Sequence, residues 1–195
     1  MTTQPYPRRP MLAPLQHALG WLKAPARYWL TRALAAFLVT RLVVFAAAYL
    51  GEIALPSITG EGFYQADQVD TNIWLDMWAR WDSGWYIGIV EGGYFFQPGL
   101  QSSVAFFPLY PLLTSLLEPI AGSPLAAGVL LSNLCLLGAL IFLYLLTDLE
   151  FKDSATATRT VFYIAAFPTA FFFSAVYTES VFLLFAVGTL YFARA

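Results

Sequence analysis

A single carboxylate among indole rings is the first feature of this sequence that could do chemistry. Residues 79–86 read ARWDSGWY, which sets Arg80 and Asp82 among Trp81, Trp85 and Tyr86. A carboxylate beside aromatic rings is poorly solvated, and burial there raises its pKa. A base tuned in that way takes a proton from a hydroxyl near neutral pH. Paired with Arg80 or with backbone amides, the same Asp82 would be a structural group. The residue types alone carry both readings equally.

The element that must position this group reads as one helix over 72–90. Trp74, Trp78, Trp81 and Trp85 recur at spacings of four, three and four, which aligns them in one stripe. Asp76, Arg80 and Ser83 fall on the opposite side, with Asp76 and Arg80 as an i,i+4 pair. A helix with an aromatic stripe and a polar back lies flat at a membrane interface. Interfacial anchoring accounts for most of these tryptophans more simply than sugar stacking does. Asp82 flanks the stripe. Gly84 is expected to close the helix and leave Asp82 at its C-terminal end, where the macrodipole disfavours negative charge.

The rest of the chain supplies a membrane frame. Of 195 residues, 59% are hydrophobic and 11% charged, against about 25% charged in a soluble domain. The fold class expected is all-α and polytopic. Residues 1–30 form a basic, Pro-rich cytoplasmic tail, with a short interfacial helix around Leu15 to Leu22. The apolar run that follows is too long for a signal peptide's core and is taken as retained. Residues 31–195 form the transmembrane domain, with spans at about 33–50, 125–147, 160–176 and 181–193. Arg41 lies inside the first span, which is costly unless it faces protein or water. Pro168 is expected to kink the third.

In an outer loop at about 51–124, the polar region 51–103 holds Glu52, Glu61, Asp67, Asp70, Asp76, Asp82 and Glu91 against the one base Arg80. Pro108 and Pro111 point to a short interfacial or re-entrant helix pair at its end. Arg8, Arg9, Lys23, Arg27 and Arg32 precede the first span, so the N-terminus is expected in the cytoplasm. Lys152, Arg159 and Arg194 then fall inside as well. Asp82 and the Tyr177, Thr178, Glu179, Ser180 turn share the outer side. No basic run suggests nucleic acid. The single cysteine, Cys135, permits no intramolecular disulfide. With His17 as the one histidine, no His-based metal cluster can form, and neither metal nor cofactor is expected.

Three blocks carry a family resemblance: RWDSGWYIGIVEGGY, VAFFPLYPLL and FPTAFFFSAVYTESVFLLF. In this order and spacing they resemble the PIG-V family, the second mannosyltransferases of GPI-anchor synthesis and their bacterial relatives. The likeness runs from Ala33 to the C-terminus and corresponds to the N-terminal part of longer family members. It implies the GT-C class of membrane glycosyltransferases, with interfacial helices in the first outer loop and an essential acid there. It further implies an inverting transfer of a hexose, mannose by family, from a polyprenyl-phosphate donor to an acceptor hydroxyl. The family's WD position falls on Asp82 as the base.

On the same resemblance Arg80 would hold the departing phosphate through charge-assisted hydrogen bonds. Glu179 would orient the acceptor or support Asp82, or else simply cap the fourth span, where negative charge is favoured. Trp81, Trp85, Tyr86, Tyr110 and Tyr177 are the candidates for substrate and lipid contact, with packing against Pro108 and Pro111 the alternative for Tyr110. The partners implied are the polyprenyl-phosphate sugar, a lipid or glycan acceptor, membrane lipids, and a C-terminal half or partner subunit. The location implied is a bacterial plasma membrane, or the endoplasmic reticulum of a eukaryote. The competing reading is a non-catalytic membrane subunit or lipid-binding module, or an inactive fragment of such an enzyme. A transporter, suggested by Arg41 and the Pro168 kink, ranks last because Arg41 is the one charge within a span.

Overall fold

The computed structural model describes residues 28–55 and 72–195. The basic tail with His17, and Glu61, Asp67 and Asp70 of the outer loop, lie outside the described residues. Within them the chain is all-α, as its composition and periodicity lead one to expect. The elements are α1 (Tyr28–Ala54), α2 (Ile73–Asp76), α3 (Ser83–Gly92), α4 (Leu109–Ala121), α5 (Pro124–Phe151), α6 (Ser154–Ala166) and α7 (Glu179–Arg194). Short 3-10 turns occupy Ser103–Ala105 and Ala170–Phe173. Two helices, α1 and α5, are long and apolar enough to cross a membrane. Their 27 and 28 residues reach about 40 Å at 1.5 Å per residue.

Helix α5 is the axis of the bundle, since each of the other six described helices packs against it. Small residues on its surface let neighbours approach. A Cβ at Gly128 would sit 2.9 Å from Val176 Cγ1, and one at Gly138 would sit 3.0 Å from Leu184 Cδ1. The helix starts on Ser123, whose hydroxyl accepts the Ala126 amide at 3.1 Å, with Pro124 in the first turn where its missing N–H costs nothing. It ends on Lys152 in the left-handed region (φ 53). Asp153 at once opens α6 by accepting the amides of Ala155 and Thr156 at 3.0 and 3.2 Å. The α5–α6 hairpin therefore needs two residues.

The third apolar run is not one kinked helix. Helix α6 stops at Ala166, two residues before Pro168. The residue preceding a proline is pushed out of the helical region, and Phe167 is extended with ψ 145. The chain then crosses a 3-10 turn and an irregular stretch before α7. Arg41 of α1 satisfies the carbonyls so released. Its guanidinium donates to Ala165 O at 2.7 Å, Ala170 O at 2.9 Å and Ser174 Oγ at 2.9 Å. Ser174 Oγ passes its own proton to Asn133 Oδ1 of α5 at 2.9 Å. The buried charge thus faces protein and the negative end of a helix, where a cation is favoured.

The helix expected over 72–90 is broken in two. Asn72 caps α2 by accepting the Trp74 amide at 3.1 Å. The backbone then turns, with Trp81 at φ 50, a left-handed conformation through which no α-helix can continue. The tryptophan stripe dissolves as a result. Trp74 stacks on Tyr49 of α1 with centroids 4.3 Å apart, Trp78 is buried, and Trp81 is exposed. The i,i+4 pair survives, since Arg80 and Asp76 meet at 2.8 Å.

Where a helix pair was expected near Pro108 and Pro111, there is one 3-10 turn and the single helix α4. Both prolines sit at the start of α4, where no helical hydrogen bond is lost. Between α3 and α4 the chain folds back on itself. Tyr94 Oη donates to Phe106 O at 2.8 Å, Phe95 N to Ser103 Oγ at 2.9 Å, and Gln97 N to Ser102 Oγ at 2.9 Å.

Candidate functional site

This returning loop and the start of α3 enclose an open pocket of about 480 Å³, lined by Trp81, Asp82, Trp85, Gln101, Ser102, Ala105 and Phe106. Its walls are aromatic. Trp85 stacks on Phe106 and Phe95 with centroids 5.5 and 6.0 Å apart, which fixes one indole face. Trp81 packs less closely, 6.2 and 6.0 Å from the Phe171 and Phe172 rings.

Asp82 sits differently from its expected place. It precedes the first turn of α3 rather than ending a helix, and Gly84 lies inside that turn. Its side chain is exposed rather than buried. The carboxylate makes no hydrogen bond to the amides of its own helix start. It is held instead through its backbone. The Asp82 amide donates to Tyr177 Oη at 2.9 Å, and the same hydroxyl donates to Arg80 O at 3.2 Å.

The other candidate residues stand behind the pocket rather than in its lining. Arg80 is half-buried and held by Glu52 Oε1 at 2.7 Å and Asp76 Oδ2 at 2.8 Å. It also donates to the carbonyls of Asp76 and Ala79 at 2.8 and 3.2 Å. Tyr86 is buried with its ring edge-on to Phe106 and Tyr110, at 5.1 Å from each. Burial pushes its phenol up, and the charges of Glu179 and Asp82 add to the effect. Tyr110 lies in the core, not on a lipid-facing groove. Its hydroxyl meets Gly128 O at 3.0 Å and Ser132 Oγ at 2.8 Å.

Tyr177 is buried, and its phenol is pushed up to about 12, first by burial and then by the nearby charges of Asp82 and Glu179. It is a neutral hydroxyl at physiological pH. Glu179 is the first residue of α7, at the mouth of the bundle. One of its oxygens is buried without a partner among the described residues. Burial raises its pKa first, and the Asp82 charge raises it further. Asp82 and Glu179, 97 residues apart in sequence, therefore feel each other electrostatically.

Of the eight candidates, the pocket brings together Trp81, Asp82 and Trp85. Tyr177, Tyr86, Arg80 and Glu179 form the layer behind it. Gln101 and Ser102 were missed. Their one signal in the sequence is a short polar run, QSS, after Gly99 and before aromatic residues, which marks a turn rather than a site. No group of three or more His, Cys, Asp or Glu that could hold a metal occurs among the described residues.

An open pocket that offers, between indoles, a carboxylate with no hydrogen bond among the described residues, on an all-α bundle with two membrane-length helices, suits a carbohydrate-handling membrane protein. Residues 30–195 match the family model described as Mannosyltransferase (PIG-V). That match covers most of the chain, and the chain belongs to this family of glycosyltransferases. No curated protein and no solved structure matches it.

Proposed function

We propose that this chain is a multi-pass membrane mannosyltransferase using a polyprenyl-phosphate sugar, with its pocket on the outer face. Asp82 is the general base. It takes the proton from the acceptor hydroxyl as that oxygen attacks the anomeric carbon. The bond between that carbon and the lipid phosphate oxygen breaks, and the lipid phosphate leaves with inversion. The observation that carries the reading is the exposed Asp82 carboxylate in a pocket walled by Trp81 and Trp85. Indole faces stack on the C–H faces of a hexose, and the carboxylate is free to accept a proton.

Arg80 takes a different part from phosphate binding in this reading. Two carboxylates already neutralise it, so an incoming phosphate would have to displace one of them. Its part is to tie α1 to the turn that carries Asp82. Glu179 supports Asp82 from behind, its pKa raised by burial and by the Asp82 charge. Membrane placement is supported by the ends of the bundle. Arg194 pairs with Glu150, and Arg159 with Asp153, at the end away from Asp82.

The test is transfer from radiolabelled polyprenyl-phosphate mannose in membranes carrying the chain. Asp82→Asn should lower transfer by roughly 10²- to 10⁴-fold, the usual worth of a positioned base, while membrane insertion is unchanged. Undiminished transfer by Asp82→Asn would remove Asp82 from the chemistry.

A further inference from the structure

We infer that Tyr177 is a positioning residue whose hydroxyl clasps the Arg80–Asp82 backbone and so sets where the Asp82 carboxylate stands in the pocket. The part that concerns transfer rests on the function proposed above. The geometric part stands without it.

The turn before α3 is under strain. Trp81 has φ 50, a region that L-residues other than glycine, asparagine and aspartate enter at a cost. A strained residue persists when its surroundings over-determine it. Here the flanking groups are tied to one atom. Tyr177 Oη accepts from the Asp82 amide at 2.9 Å and donates to Arg80 O at 3.2 Å, bridging the peptide groups on either side of Trp81. A neutral phenol is the group that can do both at once, since it carries one donor and acceptor lone pairs. Ring packing fixes the hydroxyl in turn. The Tyr177 ring meets Phe172 edge-on at 5.1 Å and Tyr86 at 6.3 Å.

The next residue back is anchored as well. Val176 N donates to Trp78 O at 3.4 Å, and Val176 presses on Gly128 of α5. The backbone that carries the pocket carboxylate is therefore held by a segment distant in sequence, itself packed on α5. No side chain on α3 itself fixes it: Asp82 has no cap bond, and Ser83 Oγ points back to Trp78 O at 3.2 Å.

Tyr177→Phe removes the hydroxyl and keeps the ring, so the Phe172 and Tyr86 contacts remain. The full chain in lipid nanodiscs is measured in two ways. Hydrogen exchange followed by mass spectrometry should show the Asp82 amide exchanging at least about tenfold faster, with α5 amides unchanged. Transfer from polyprenyl-phosphate mannose should show kcat falling about tenfold with KM little changed, since substrate still meets Trp85 and Gln101. Unchanged exchange at Asp82 overturns the clasp. Faster exchange spread through α5 overturns it too, because the effect would be global. Faster exchange at Asp82 alone with normal kcat overturns the positioning role. A wild-type chain without transfer would sink the proposed function, and the exchange result would still decide the clasp.

Discussion

Glu179 starts α7 with one oxygen buried and without a partner among the described residues, while Asp82 stands exposed in the pocket. Two effects compete at Glu179. The start of a helix favours its anion, and burial together with the Asp82 charge disfavours it. Burial is the larger, so the folded-state pKa lies above the ordinary carboxylate value of 4.5. The sign of the stability effect follows. The folded chain holds this proton to higher pH than the unfolded chain does. Stability is therefore lost as pH rises from the ordinary carboxylate value through the raised one. Glu179→Gln should be more stable than the parent near neutral pH, by a Tm rise on the order of 2 °C. The difference should vanish at about pH 4, where both chains are neutral at this position. A scan of Tm against pH checks it. A parent more stable than the Gln variant at neutral pH would mean that Glu179 is an ionised cap.

At the scale of elements, the pocket depends on how closely the segment before α7 approaches α5. Val176 is fully buried and β-branched, so it cannot swing away from a new methyl group at Gly128. Gly128→Ala gains about 1 kcal/mol of helix propensity and meets an overpacking cost of about 1–3 kcal/mol. The expected net is a loss of up to about 2 kcal/mol, with Tyr177 displaced from Asp82. Val176→Ala in the same chain should restore most of both. Denaturation of the two single variants and the double one gives the coupling, and additive losses would show that the contact is not made.

The same segment shows what the sequence could and could not tell. The blocks around Asp82, Tyr110 and Glu179 were legible, and so were the long apolar helices α1 and α5, because length and composition decide those. The break at Trp81 was not. Spacing of four, three and four aligns four tryptophans only if the helix is continuous, and nothing local forces Trp81 out of it. Tyr177, 96 residues later, supplies the bonds that hold the turn. Arg41 was legible as a costly charge. Its partners were not, because they exist only where α6 has already ended ahead of Pro168.

Over the whole molecule, α6 is too short to cross a bilayer by itself. Its 13 residues reach about 20 Å, against a hydrocarbon core of about 30 Å. On the multi-pass reading proposed above, the irregular stretch 167–176 would make up the remaining depth, and irregular backbone at that depth is tolerated where it is buried in protein. Arg41 of α1 and Asn133 of α5 meet that need, with Ser174 of the stretch itself bonded to both. The end of the bundle beyond this stretch carries Asp82 and Glu179, and the opposite end carries Lys152, Arg159 and Arg194. Basic residues are retained on the cytoplasmic side, so the pocket should face outward. The single thiol, Cys135, is buried, and replacing it with alanine gives a background for mapping. In that background Gln101→Cys should react with an impermeant maleimide added outside intact cells. Lys152→Cys should react only after the cells are opened. The reverse pattern would turn the pocket toward the cytoplasm and rule out a donor presented at the outer face.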